Sequence, residues 1–123
     1  MSHSRPKNLN LFTIRFPLPA IVSILHRLSG AVLFLMIPFL LWVFNVSLTE
    51  YGFQSMQQSI ASWPVKCIIW LLFIPFCYHL VAGIRHLLSD IHIGCSLQGG
   101  KIGAAFTFIV SVIFIILAGV WLW

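Results

Sequence analysis

The chain has 123 residues, of which 60% are apolar and only 7% charged, against roughly 45–50% and about 25% in ordinary globular proteins. Seven basic and two acidic side chains cannot cover the surface of a fold in water, so a soluble enzyme, a disordered chain and a disulfide scaffold are excluded. The net charge of +5 rests on a few residues, mostly at the ends of apolar runs, which points to membrane orientation and away from nucleic acid.

A spanning helix needs about 20 largely apolar residues, and three such segments fit in this length. The expected fold is an all-α membrane protein with three transmembrane helices in one anchor domain, 1–123, behind an N-terminal tail at 1–19. The first span covers about 20–46; its second half is wholly apolar from Ala31 to Phe44, while its first half carries Ser23, His26, Arg27 and Ser29. The connection from Ser47 to Trp63 is polar and short. The second span covers about 64–88 and is interrupted in its apolar centre only by Tyr78 and His79. A second polar connection, Ser89 to Lys101, leads to a third span at about 102–123, whose polar side chains are Thr107 and Ser111. Helices are expected because three segments cannot close a barrel and lipid tolerates no open sheet edge. The first apolar run begins late and contains His26-Arg27, which fits a retained span better than a secretory signal.

Basic residues near span ends set the orientation. Arg5, Lys7 and Arg15 precede the first span, Arg85 and Lys101 flank the second connection, and only Lys66 lies near the first. The N-terminus is therefore expected on the cytoplasmic (or matrix) side and the C-terminus on the outer side. Trp42, Trp63, Trp121 and Trp123 then fall at the outer interface, which indoles prefer. Cys67, Cys77 and Cys95 have no CxxC spacing and read as inert thiols; without CxxCH, covalent c-type haem attachment is excluded.

Ionisable residues inside a span are costly and mark function by default. Ser23, His26, Arg27 and Gly30 follow i, i+3, i+4, i+7 and share one helical face near the cytoplasmic interface. The plain alternative is an arginine snorkelling to the headgroups. In the second span His79 lies about 15 Å from the cytoplasmic end at ~1.5 Å per residue, near the bilayer centre. A histidine at such depth is usually just hydrogen-bonded to a neighbour. Gly83 at i+4 and His86 at i+7 lie on nearly the same face, and the glycine leaves room for a flat macrocycle. Arg85 and His86 would sit about 10 Å nearer the cytoplasm, level with His26 and Arg27 of the antiparallel first span. Four groups able to carry positive charge at one depth, with Asp90 the only nearby acid, fit the propionates of a haem. Neutral imidazole is the usual ligand of a b-type haem iron, and only His79 is deep and apolar-flanked. A second histidine ligand would come from another polypeptide, either a different partner or a second copy.

Arg5-Pro6, Ser23-Ile24-Leu25-His26-Arg27-Leu28-Ser29-Gly30, and His79 with Gly83, Ile84, Arg85, His86 and Asp90 together resemble the cytochrome b membrane-anchor subunit of succinate dehydrogenase, the larger small anchor of respiratory complex II. The resemblance covers all three spans. It implies haem b shared with a second small membrane anchor, ubiquinone as substrate, and assembly with an iron–sulfur subunit and a flavoprotein. It makes the residue matching His79 an axial haem ligand and those matching Ser23 and Arg27 part of the quinone pocket. Those matching His26, Arg27 and His86 it places near the propionates. A quinone carbonyl needs a donor and a positive field as charge develops on it, and Ser23 and Arg27, one turn apart, offer both. No residue set here suits succinate oxidation, so the chain is expected to be a non-catalytic subunit of succinate:quinone oxidoreductase. One departure is visible: the family often has glycine two residues after the final aspartate, where this chain has His92, with Gly94 following. The tail has no transit-like character, which favours a bacterial inner membrane over a mitochondrial one. The alternative is a cofactor-free three-helix membrane protein, either a haem-less fumarate reductase-type anchor or a holin-like pore former. His79 argues against the first, and the uncharged ending Val120-Trp121-Leu122-Trp123 against the second.

Overall fold

The structure, a computed structural model, describes residues 15–123; Arg5, Pro6, Lys7 and most of the tail lie outside the described residues. Four helices follow in order: α1 Leu18–Ser47, α2 Glu50–Ala61, α3 Trp63–Asp90 and α4 Leu97–Leu122. Among the described residues there is no strand. The helices α1, α3 and α4 are 30, 28 and 26 residues long and apolar enough to cross a membrane. At about 1.5 Å per residue each is longer than a hydrocarbon layer of roughly 30 Å, so each projects beyond it. Pro17 caps α1 with no side-chain hydrogen bond, and Pro64 occupies the first turn of α3, where a missing N–H costs nothing. Pro38 and Pro75 lie within α1 and α3, which continue through them.

The three long helices run antiparallel in sequence, which puts the start of α1, the end of α3 and the start of α4 at one end of the bundle. A methyl added at Gly100 of α4 would meet Pro19 of α1 at 3.7 Å, and Arg85 of α3 lies against Gly103 of α4. The residues that let these helices meet are small. Val22, Ala82 and Ala104, one from each helix, are fully buried and form the core, with Tyr78 and Phe108 packed against it. Small residues at the seam and large ones outside are the usual arrangement of spanning helices, where the outer surface has lipid as its solvent. Leu35 at 74% and Phe34 at 69% exposure on α1, and Phe106 at 64% on α4, belong to that outer surface.

Polar groups at the seam are satisfied locally. Thr107 and Ser111, the two hydroxyls of the third span, are buried. They donate to the carbonyls of Gly103 at 2.8 Å and Thr107 at 2.7 Å in their own helix, which removes the cost of an unpaired hydroxyl in an apolar setting. Across the seam, the Tyr78 hydroxyl donates to Val22 O at 3.0 Å and the Trp70 indole to Ile115 O at 2.9 Å.

The short polar connection between the first two spans contains α2. Thr49 caps it, its Oγ1 accepting from Gly52 N at 3.1 Å, and Glu50 sits in its first turn, where a negative charge suits the helix dipole. Gly52 is buried hard against Val46 O, with no room for a Cβ. Phe53, Met56 and Ile60 recur at i, i+3, i+7 among glutamines and serines. This is the pattern of a helix lying along an interface, apolar side inward. Trp42, Trp63, Trp121 and Trp123, all exposed, gather at this end, opposite the end where α1 begins.

The second connection is a tight helix ending. His92 N–H donates to Ser89 O and Ile93 N–H to Leu88 O, both at 3.0 Å, the paired bonds of a Schellman cap. That cap needs a left-handed residue after the helix, and His92 supplies it with φ 64; Gly94 follows at φ 75. The position where the resembled family often has glycine is thus one where glycine is the residue least strained. Ser96 then caps α4, accepting from Gly99 N at 2.9 Å.

Candidate functional site

Three histidines from two helices form a row inside the bundle. His26 of α1 lies flat against His79 of α3, with ring centroids 4.2 Å apart and planes 13° from parallel. On its other side His26 meets His86, at 5.0 Å and 43°. The spacing of His79, Gly83 and His86 explains the row: the two histidines are seven residues apart on one face, and the glycine between them leaves a slot. His26 fills that slot, since a methyl at Gly83 would lie 3.3 Å from His26 Nε2. The sequence puts His26 level with His86; the structure puts it opposite Gly83, between the two α3 histidines, because only there is a side chain missing. His26 Nε2 is thus the atom nearest the face of Gly83, where room for a macrocycle is expected.

The His79 ring is held on one side. Its Nδ1 lies 3.1 Å from Ser29 Oγ and 3.1 Å from His26 O. Ser29 is buried and its own hydroxyl donates to the same carbonyl at 2.8 Å. A carbonyl can only accept, and the serine proton is already used on it. Nδ1 must therefore be the protonated nitrogen, which leaves the Nε2 lone pair free of the proton. Gly30 packs against the same ring, where an added methyl would come within 2.9 Å of Cε1. The clamp consists of a serine and glycine one turn after His26 on the same helix, with His26's own carbonyl.

The remaining expected residues take different places. His86 Nε2 is buried without a hydrogen-bond partner, and a buried donor or acceptor left alone is costly. Arg85 leans toward α4, its guanidinium donating to Gly100 O at 3.4 Å, away from the histidine row. Arg27 is exposed on α1 and Ser23, one turn earlier, is half-buried. The expected cationic cluster is thus divided: the histidines converge, Arg85 serves the α3–α4 seam, and Arg27 faces outward. Asp90, at the end of α3, is exposed.

Among the described residues no group of three His, Cys, Asp or Glu is arranged to hold a bare metal ion; His26 stacks flat on His79 and is tilted by 43° to His86. The large grooves lie elsewhere. One of about 390 Å³ between α3 and α4 is bordered by Val81, Arg85, Gly103 and Thr107. Another of about 490 Å³ between α1, α2 and α3 is bordered by Met36, Met56, Ile69 and Phe73. Neither is lined by His26, His79 or His86. Ser29 is the functional candidate that residue spacing missed; its signal was its position three residues after His26, which brings it onto the same face.

Comparison with known proteins adds an independent line. The family model described as succinate dehydrogenase/fumarate reductase transmembrane subunit matches residues 1–118. The succinate dehydrogenase cytochrome b556 subunit of Coxiella burnetii is 40% identical over 126 aligned positions, covering all of both chains. That of Paracoccus denitrificans is 33% identical over 100 positions, covering 77% of this chain and 74% of the relative. The cytochrome b560 subunit of Marchantia polymorpha is 32% identical over 97 positions, covering 74% and 71%.

Proposed function

The chain belongs to the succinate dehydrogenase/fumarate reductase transmembrane-subunit family, and from that premise we propose that it is the membrane-anchor subunit of a succinate dehydrogenase. In this role it carries haem b at an interface with a second small anchor and helps form the site where ubiquinone is reduced. Electrons would reach that site from an iron–sulfur subunit, itself fed by a flavoprotein. The complex sits in a bacterial inner membrane, with the histidine end of the bundle toward the cytoplasm. Arg15, Arg85 and Lys101 lie at that end and four exposed tryptophans at the other, which supports the orientation.

The observation that carries the haem assignment is the His79 tautomer. Nδ1 is committed to Ser29 and the His26 carbonyl, and histidine ligands of metals are typically held in this way, the second nitrogen bonded to a carbonyl or other acceptor. Nε2 is thereby left as the electron-pair donor an iron needs. His86, with a buried and unpartnered Nε2, and His26 beside it would face the acidic edge of the cofactor. When bound, a b-type haem supplies a one-electron store. This chain's residues orient it: Ser29 and His26 O fix the imidazole's rotation, Gly30 admits the ring against α1, and the apolar seam excludes water.

For the quinone, Ser23 offers a hydroxyl and Arg27 a fixed positive charge one turn later on α1. Arg27 is exposed on the bundle surface, so its pocket is completed by another subunit. A donor and a cation placed where negative charge builds on a carbonyl oxygen favour its reduction.

A reduced-minus-oxidised visible spectrum of the purified complex tests the haem assignment. A b-type band in the parent, lost in His79→Ala, is the expected outcome; the same band at full strength in that variant refutes His79 as the ligand. Ser23→Ala and Arg27→Leu are expected to impair quinone reduction while sparing succinate oxidation with a soluble acceptor. Equal loss of both activities would mean failed assembly, and quinone reduction left intact in both variants would refute the quinone-site assignment.

A further inference from the structure

The clamp on His79 has an unequal design. A single carbonyl would be enough to hold the Nδ1 proton, yet a second acceptor, Ser29 Oγ, stands at the same distance of 3.1 Å. Ser29 is buried, only 6% exposed, so its hydroxyl is largely shielded from competing partners outside the bundle. It is not free to turn away either, because its own proton is tied at 2.8 Å to His26 O. Ser29 thus reaches across from α1 to α3 with its lone pair aimed at the imidazole N–H. A serine whose only duty was to satisfy itself in an apolar helix would back-bond to its own helix and stop there, as Thr107 and Ser111 do.

We propose that Ser29 is a positioning residue that sets the electron-donating strength and rotation of the His79 imidazole; the proposal rests on the reading of His79 as a haem ligand. A hydrogen bond accepted from Nδ1–H draws that proton outward and makes the opposite nitrogen a stronger donor. A stronger donor favours the more highly charged, oxidised iron. Ser29 therefore lowers the reduction potential of the bound haem, and removing its hydroxyl raises it. One hydrogen bond of ordinary net worth changes an equilibrium by roughly two- to tenfold. For a one-electron couple, tenfold in the oxidised-to-reduced ratio is about 59 mV, which bounds the upward shift.

The experiment is a redox titration and low-temperature electron paramagnetic resonance spectrum of the haem in the whole complex, for the parent, Ser29→Ala and Ser29→Thr. Haem is counted against bound flavin to report assembly. The expected result is an upward shift of potential and a changed ferric spectrum in Ser29→Ala, with both returned toward the parent by Ser29→Thr, which restores a hydroxyl. Loss of haem from a Ser29→Ala complex that keeps its flavin, reversed by threonine, would also support the proposal. A parental potential and spectrum in Ser29→Ala would overturn it. So would loss of assembly in Ser29→Ala that Ser29→Thr does not relieve, because a hydroxyl would not then be what the position requires. A parent complex with no His79-dependent b-type band would instead overturn the haem reading itself, so the two failures are distinct.

Discussion

Adding one methyl group at Gly30 tests whether His79 is pinned where the structure has it. An alanine Cβ there would lie 2.9 Å from His79 Cε1 and 3.5 Å from Nδ1. Carbon atoms in good contact are about 3.5–4.0 Å apart, so the ring must retreat by about 0.6–1.1 Å. It cannot do so freely. Its Nδ1 is bonded at 3.1 Å to two acceptors on α1, and His26 lies flat against its face with ring centroids 4.2 Å apart. A retreat of that size takes the two contacts past the range in which an N–H···O bond has useful strength. Overpacking of this kind costs about 1–3 kcal/mol, and the better helix propensity of alanine returns about 0.8–1.0, for a net loss of up to about 2 kcal/mol. Gly100→Ala is the matched control: it has the same propensity gain but meets Pro19 at 3.7 Å, an ordinary contact. Thermal denaturation of the purified complex, with haem content measured alongside, should show Gly30→Ala less stable than the parent and depleted in haem. Gly100→Ala should match or exceed the parent. Identical behaviour of the two alanine variants would refute the close approach of α1 to the His79 ring.

Gly119→Ala would place a methyl 3.0 Å from Trp70 Nε1 and displace the indole from Ile115 O, costing about 1 kcal/mol for the lost hydrogen bond; thermal melts should show that cost vanishing in a Trp70→Phe background, and additive losses would contradict the contact. Tyr78→Phe removes the hydroxyl that bonds Val22 O while that carbonyl keeps its helical partner, so a loss of about 0.5–1.5 kcal/mol is expected by the same measurement, and no change would count against the bond. His92→Gly relieves a left-handed φ of 64 worth about 1–2 kcal/mol. Glycine's greater freedom in the unfolded chain returns about 0.4–1 of it, a net gain of up to about 1.6 kcal/mol, so the Ile93 amide should exchange hydrogen more slowly by up to roughly fifteenfold. Faster exchange would show that the α3 ending is not the cap described.

The three spans and the polar residues that interrupt them were legible in the amino-acid sequence, because lipid leaves a chain few choices. A long apolar run must be helical, and a histidine within one stands out against its neighbours. The same logic separated the tryptophan end from the basic end. Helix α2 was not legible: half of its twelve residues are glutamine, serine or glycine, and its weak apolar stripe finds a place only beside the groove that Met56 and Ile60 border with α1 and α3.

At the site, the sequence by itself determined that His79, Gly83 and His86 share one face, since helical spacing places them there whatever they pack against. Tertiary structure decided how they are used. The depth of α1 beside α3 is set by where small residues allow close approach, and no count along one helix contains that information. It slid His26 into the slot at Gly83, brought Ser29 and Gly30 onto the His79 ring, and turned Arg85 to α4. Periodicity records the face a side chain occupies; what stands opposite that face depends on the register between two helices, and register is a property of the packed pair.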